Sequence, residues 1–109
     1  MRTLALVFLL LAAACGTALS DGKSAFNRGR YAEAREALER GEEQYFELPM
    51  AQRAEYALYR GLTHGALGDR TASLFWLDRA RVIEADRPGT LSSDDQARLR
   101  VGLESYGIR

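Results

Sequence analysis

From Ala54 to Ala80 the chain places small and apolar residues at helical spacing. Ala54, Ala57, Leu58, Gly61, Leu62 and Gly65 stand at i, i+3, i+4, i+7, i+8 and i+11, the period of one face of an α-helix. Each glycine on such a face costs about 1 kcal/mol relative to alanine, a cost that close approach of a second backbone offsets. Gly68 and Asp69 then supply a stop and a new start. Glycine tolerates the left-handed conformation past a helix end, and Asp69 or Thr71 can cap the next helix. Ser73, Leu74, Leu77, Ala80 and Arg81 follow along the inward line of that helix. The pattern therefore predicts two helices folded back on each other.

The flanks continue the pattern. A short helix is expected over 19–28, broken at Gly29, with Thr17 to Lys23 small and polar enough to serve as a tether. From Gly29 the segment GRYAEAREALERGEEQYFELP predicts a helix lengthened through Gln44 and ending before Pro49, because the residue preceding proline disfavours the α region; a short loop over the same distance is the alternative. After Ala80 the second hairpin helix runs on through Val82, Ile83 and Ala85 to the breaker Asp86-Arg87-Pro88-Gly89. Ser92 and Asp95 approximate a capping box for a last helix. That helix has Ala97, Leu99, Val101, Leu103 and Tyr106 as apolar positions and Asp94, Arg98, Arg100 and Glu104 facing water.

These residues resemble a tetratricopeptide repeat. Gly61, Gly68, Ser73, Leu77 and Ala80 match that family's small crossing residue, turn glycine and second-helix positions. Gly29, Tyr31, Ala34, Leu38 and Gly41 match the turn and second helix of a preceding copy. His64 stands in place of the usual aromatic, Arg70 in place of the usual tyrosine, and Pro88 falls about three residues late. The two turn glycines are 39 residues apart (68 minus 29), against a repeat of about 34; the surplus lies around Gln44 to Met50. The resemblance implies an all-α fold over 24–109, with short helical-repeat antiparallel hairpins and a C-terminal capping helix. It also implies a concave face built from the first helix of a pair, here Glu55, Leu58, Leu62, Gly65 and Ala66, with Tyr59 adjacent. Phe75 and Trp76 occupy positions that are usually polar. Leu58, Tyr59, Leu62, Phe75 and Trp76 are thus the candidate partner-binding residues of a protein- or peptide-binding scaffold, with homo-oligomerisation as a further option. The competing reading is a structural or secreted helical domain in which these side chains are buried and no groove exists.

The N-terminus changes the expected location. Arg2 precedes an apolar run from Leu4 to Ala14, about 11 residues, where a membrane-spanning helix needs about 20. A basic start, a short apolar core and small residues at its end read as a secretory signal over 1–14. Cys15 is the single cysteine. Preceded by Leu11-Ala12-Ala13-Ala14, it resembles the lipid-attachment cysteine of a bacterial lipobox, with Ala12 where leucine is usual. Lipidation there would anchor the chain through a tether over 15–23. Gly16, in place of the aspartate that retains such proteins at an inner membrane, favours the outer membrane, facing the periplasm. Cleavage at an Ala-x-Ala site, giving a free secreted or periplasmic protein, is the alternative.

Charge and chemistry narrow the functional class. Fifteen basic and 15 acidic residues cancel in the whole chain, and loss of Arg2 with the leader leaves about −1. No basic stripe marks a nucleic-acid footprint, and a single cysteine precludes an internal disulfide. His64 is the only histidine and lies on the helix of Gly61 and Gly65, where a packed side chain is expected. No nucleophile elbow, phosphate-binding glycine loop or metal-spaced His/Cys cluster occurs. The expectation is no enzyme activity, no catalytic residue, no metal and no cofactor. Glu42-Glu43, beside Tyr45 and Phe46, reads as helix surface.

Overall fold

A computed structural model describes residues 17–109; Cys15 and the segment 1–14 read as a secretory signal lie outside them. Among the described residues all regular structure is helical. Helix α1 covers 17–27, α2 Tyr31–Arg40, a 3-10 helix Glu42–Glu47, α3 Met50–Ala66, α4 Arg70–Asp86 and α5 Ser93–Glu104.

Among α2 to α5, the antiparallel pair α3–α4 forms the most extensive contact. Its turn follows from the local sequence. Gly68 adopts φ +82°, a conformation that an L side chain resists, and the Asp69 carboxylate accepts from the Ala72 amide at 3.2 Å. Along the crossing, a methyl group on Gly61 would lie 2.7 Å from Leu77 Cδ2 and 2.9 Å from the Leu77 backbone nitrogen. The Ser73 hydroxyl donates to the Gly61 carbonyl at 2.8 Å across the same gap. Ser73, Leu77 and Ala80 are buried as the spacing requires. Arg81 is not part of that inner line. It is exposed and pairs with Asp78 at 2.7 Å, because its position turns away from α3 towards solvent beside α5.

Helices α1 and α2 form the preceding hairpin, turning at Gly29 with φ +74°. The α1 helix already holds residues 17–23, so the stretch read as a tether is helical from Thr17 onward in the described chain. Ala18, Leu19 and Ala25 give the reason, since all three are buried. Gly22 lets α1 close on α2, where a methyl group would come within 2.5 Å of Leu38 Cγ.

The connection from α2 to α3 departs from the expected single long helix. The α-helix ends at Arg40, and Glu42–Glu47 form a separate 3-10 helix. The break turns Tyr45 and Leu48 into the core (3% and 8% exposed). The apolar area buried there offsets the poorer 3-10 hydrogen bonds. Helix α5 then lies against α3 and α4. Ser92 caps it by accepting from the Asp95 amide at 3.2 Å, and Leu99 and Leu103 are buried while Val101 is exposed. The loop before it is held by Glu84, whose carboxylate accepts from the amides of Gly89 (2.7 Å) and Leu91 (2.8 Å).

Candidate protein-interaction face

Three of the five sequence-predicted binding residues are core. Leu58 is fully buried, Tyr59 is 3% exposed and Trp76 is 6% exposed. Leu62 is half-buried and packs on the same core. The predicted concave face is covered from both sides. From α1, Phe26 sets its ring edge-on to Tyr59 at 5.6 Å and Lys23 pairs with Glu55. From α5, Gly102 comes close to the tip of Leu62, and Tyr106 with Ser73 fills the space beside Gly65. The Tyr59 hydroxyl donates to Asp95 Oδ1 at 3.1 Å, tying α3 to the start of α5. Burial, then the Asp95 carboxylate, push the Tyr59 hydroxyl up to about 12. A residue so enclosed contributes to stability and has no surface left for a partner. Leu58, Tyr59 and Trp76 are therefore withdrawn as contact residues.

Phe75 is the one of the five that stands open, 52% exposed. Its companion is Phe46 from the 3-10 helix, 69% exposed. A continuous run of rings joins them. Phe46 contacts Tyr45 at 5.0 Å, Tyr45 contacts Trp76 at 5.4 Å, and Trp76 contacts Phe75 at 5.3 Å, all near edge-to-face, the arrangement that ring quadrupoles favour. Arg79 crowns this run. Its guanidinium lies 4.7 Å from the Phe75 centroid, 5.3 Å from Tyr45, 5.4 Å from Trp76 and 5.6 Å from Phe46. Arg53 stacks over Tyr45 and Phe46 at 5.7 Å and donates to the carbonyls of Phe46 and Leu48, fixing the backbone under the exposed ring. Arg79 and Arg53 were missed by sequence reasoning. Arg79 is four residues after Phe75, one helical turn on the same flank, which was the available signal.

Beneath the rings lies a buried polar cluster. Arg60 is 6% exposed and stacks on Trp76 at 4.7 Å. It donates to the Tyr56 hydroxyl at 3.1 Å and to Glu42 at 3.0 Å, and Glu39 stands 3.7 Å away. Glu42 therefore does more than coat a surface. Its neighbour Glu43 stays in solvent. The Tyr56 hydroxyl in turn donates to the Leu38 carbonyl at 2.6 Å. His64 is a packed side chain whose Nε2 accepts from Arg60 Nε at 3.3 Å, while Nδ1 lies 3.9 Å from Asp69. Burial, followed by the neighbouring Arg60 charge, holds the imidazole below its ordinary pKa.

A second apolar surface, a groove lined by Leu99, Leu103 and Ile108, runs along α5 beside Arg81 and Glu84. Among the described residues no group of three or more His, Cys, Asp or Glu is placed to hold a metal ion, and no helix is long and apolar enough to cross a membrane. No protein-family model matches the chain, and no match is found among curated proteins or solved structures.

Proposed function

We propose that the chain is an interaction scaffold of a bacterial envelope, held to a membrane by a lipid on Cys15 and engaging a protein or peptide partner through the Phe46–Phe75 face. The observation that carries this reading is the pair of exposed phenylalanines joined through Tyr45 and Trp76 to the core. Aromatic and arginine side chains at the centre of a surface patch are the residues that dominate protein-protein binding energy. The partner site is thus moved from the concave face to the outer flank of α4 and the 3-10 helix. The tetratricopeptide resemblance supports the scaffold class. Its two turn glycines both take positive φ, and Gly61, Ser73, Leu77 and Ala80 all lie in the α3–α4 crossing. The lipobox-like run before Cys15 supports the lipid anchor, and Gly16 in place of aspartate supports the outer-membrane, periplasm-facing location.

The test is photo-crosslinking in living cells, with a benzophenone amino acid at position 46 or 75 and, as a control, at the exposed Val101. Adducts with a second protein from 46 and 75 and none from 101 are expected. Equal adducts at all three, or none, refute the face. A structural role without a partner is the second reading, favoured by one observation: the predicted groove residues Leu58, Tyr59 and Trp76 are core.

A further inference from the structure

Resting on that interaction reading, we propose that Arg79 receives a single Asp or Glu side-chain carboxylate from a partner segment whose flanking residues are apolar. The guanidinium lies among the rings of Phe75, Trp76, Tyr45 and Phe46. A stacked guanidinium uses its faces on the rings and keeps its N–H groups at the edge, where they match a carboxylate bidentately. Among the described residues no carboxylate pairs with Arg79. Its own helix offers none, because the positions three and four residues away are Phe75, Trp76, Val82 and Ile83. Arg35 and Arg81, in contrast, have acidic partners on their own helices.

The neighbourhood sets the kind of acid. Phe46 and Phe75 are exposed near the guanidinium, and Val82 is 51% exposed one turn further along α4. A carboxylate seated on Arg79 therefore has apolar surface beside it, which suits an apolar-acidic-apolar triplet. Glu43 and Glu47 are exposed on the 3-10 helix that carries Phe46, while Asp78 is paired with Arg81. The two glutamates repel a run of several acids, so one carboxylate fits and a polyacidic tract does not. They also oppose docking of this face on an anionic bilayer.

The experiment uses the full lipidated chain in detergent micelles and reads the emission of Trp76, the only tryptophan, which touches both Phe75 and Arg79. The probes are end-blocked Gly-Ser peptides carrying a central Leu-Glu-Leu or Leu-Gln-Leu. The Glu peptide is expected to bind about tenfold tighter than the Gln peptide at low salt, the scale of a charge-assisted hydrogen-bond pair. Arg79→Gln should erase that difference and Arg79→Lys should restore part of it; loss of the ring contacts lowers Tm in Arg79→Gln, so both variants are compared well below their melting transitions. Equal affinity of the two peptides, a preference that survives Arg79→Gln, or no binding of either peptide up to about millimolar overturns the proposal. Crosslinks from position 75 that persist in those cases leave the interaction face standing and condemn only its carboxylate. Binding of the unlipidated Cys15→Ser protein to phosphatidylglycerol vesicles that Arg79→Gln abolishes, or self-association abolished by Phe75→Ala, also overturns it, naming a membrane or a second copy as the occupant.

Discussion

Gly61→Ala separates two forces that act in opposite directions at one site. Helix propensity alone makes the change favourable by about 1 kcal/mol, since Gly61 lies inside the 17-residue α3. The crossing makes it unfavourable. The added methyl would sit 2.7 Å from Leu77 Cδ2 and 2.9 Å from the Leu77 backbone nitrogen. The leucine tip can rotate; the backbone nitrogen yields only if α4 moves. Overpacking of this kind costs about 1–3 kcal/mol. Withdrawal of α4 also stretches the 2.8 Å bond from Ser73 to the Gly61 carbonyl, worth about 1 kcal/mol. The balance is a net loss of about 1–3 kcal/mol, and a domain of this size loses roughly 4–8 °C in Tm per kcal/mol. Gly61→Leu should lose more. Urea and thermal unfolding, followed by far-ultraviolet circular dichroism, measure both variants. A Tm for Gly61→Ala above that of the wild type would mean that propensity governs the site, and the close crossing would be refuted.

Other perturbations address separate parts of the molecule. Trp76→Ala removes a ring that bridges Tyr45, Tyr56, Phe75 and Arg60 and should destabilise by about 3–5 kcal/mol; a loss under 1 kcal/mol in urea unfolding contradicts its place in the core. His64 is held below its ordinary pKa of about 6.5 by burial and Arg60, so the unfolded chain binds the proton more readily. Stability from this group is whole above about 6.5 and declines as pH falls below it. His64→Gln should therefore show a shallower loss than wild type between about pH 7 and pH 5, and parallel curves would refute the cause. Cys15→Ser should abolish fatty-acid labelling and release the protein from membranes; an unchanged membrane fraction rejects the lipid anchor.

The hairpin was legible because its determinants are local. Turn glycines, a capping aspartate and small residues at helical spacing act within a few residues of themselves. The end of α2 was not, because Tyr45 and Leu48 are drawn inward by Trp76, Tyr56 and the core, which lie far along the chain. The concave face failed for a related reason. Periodicity shows that Leu58 and Leu62 share a helix face, but it is silent on whether α1 and α5 lie over it. Phe75 and Trp76 were decidable from the sequence. Neighbours on a helix point about 100° apart, and Trp76 is three residues after Ser73 and four before Ala80, on the buried line. Phe75 falls off that line, so one ring had to be core and the other surface.

On the proposed reading, that division would give the outer face its capacity to bind. Trp76 has the buried Arg60 guanidinium 4.7 Å from its centroid and the half-buried Arg79 at 5.4 Å. Arg60 is in turn held by Tyr56, Glu42 and His64, so the ring rests on a network that the fold has already ordered. Phe75 leans on Trp76, and Phe46 leans on Tyr45 above a backbone pinned by Arg53. A partner meeting these rings orders few side chains on this protein, and ordering costs about 0.5–1.5 kcal/mol for each rotamer-rich side chain immobilised. Affinity then depends less on area than on how well the partner meets Arg79 and the two phenylalanines. The polar cluster would therefore act on the proposed binding from beneath, through the rigidity of Trp76, without touching a partner.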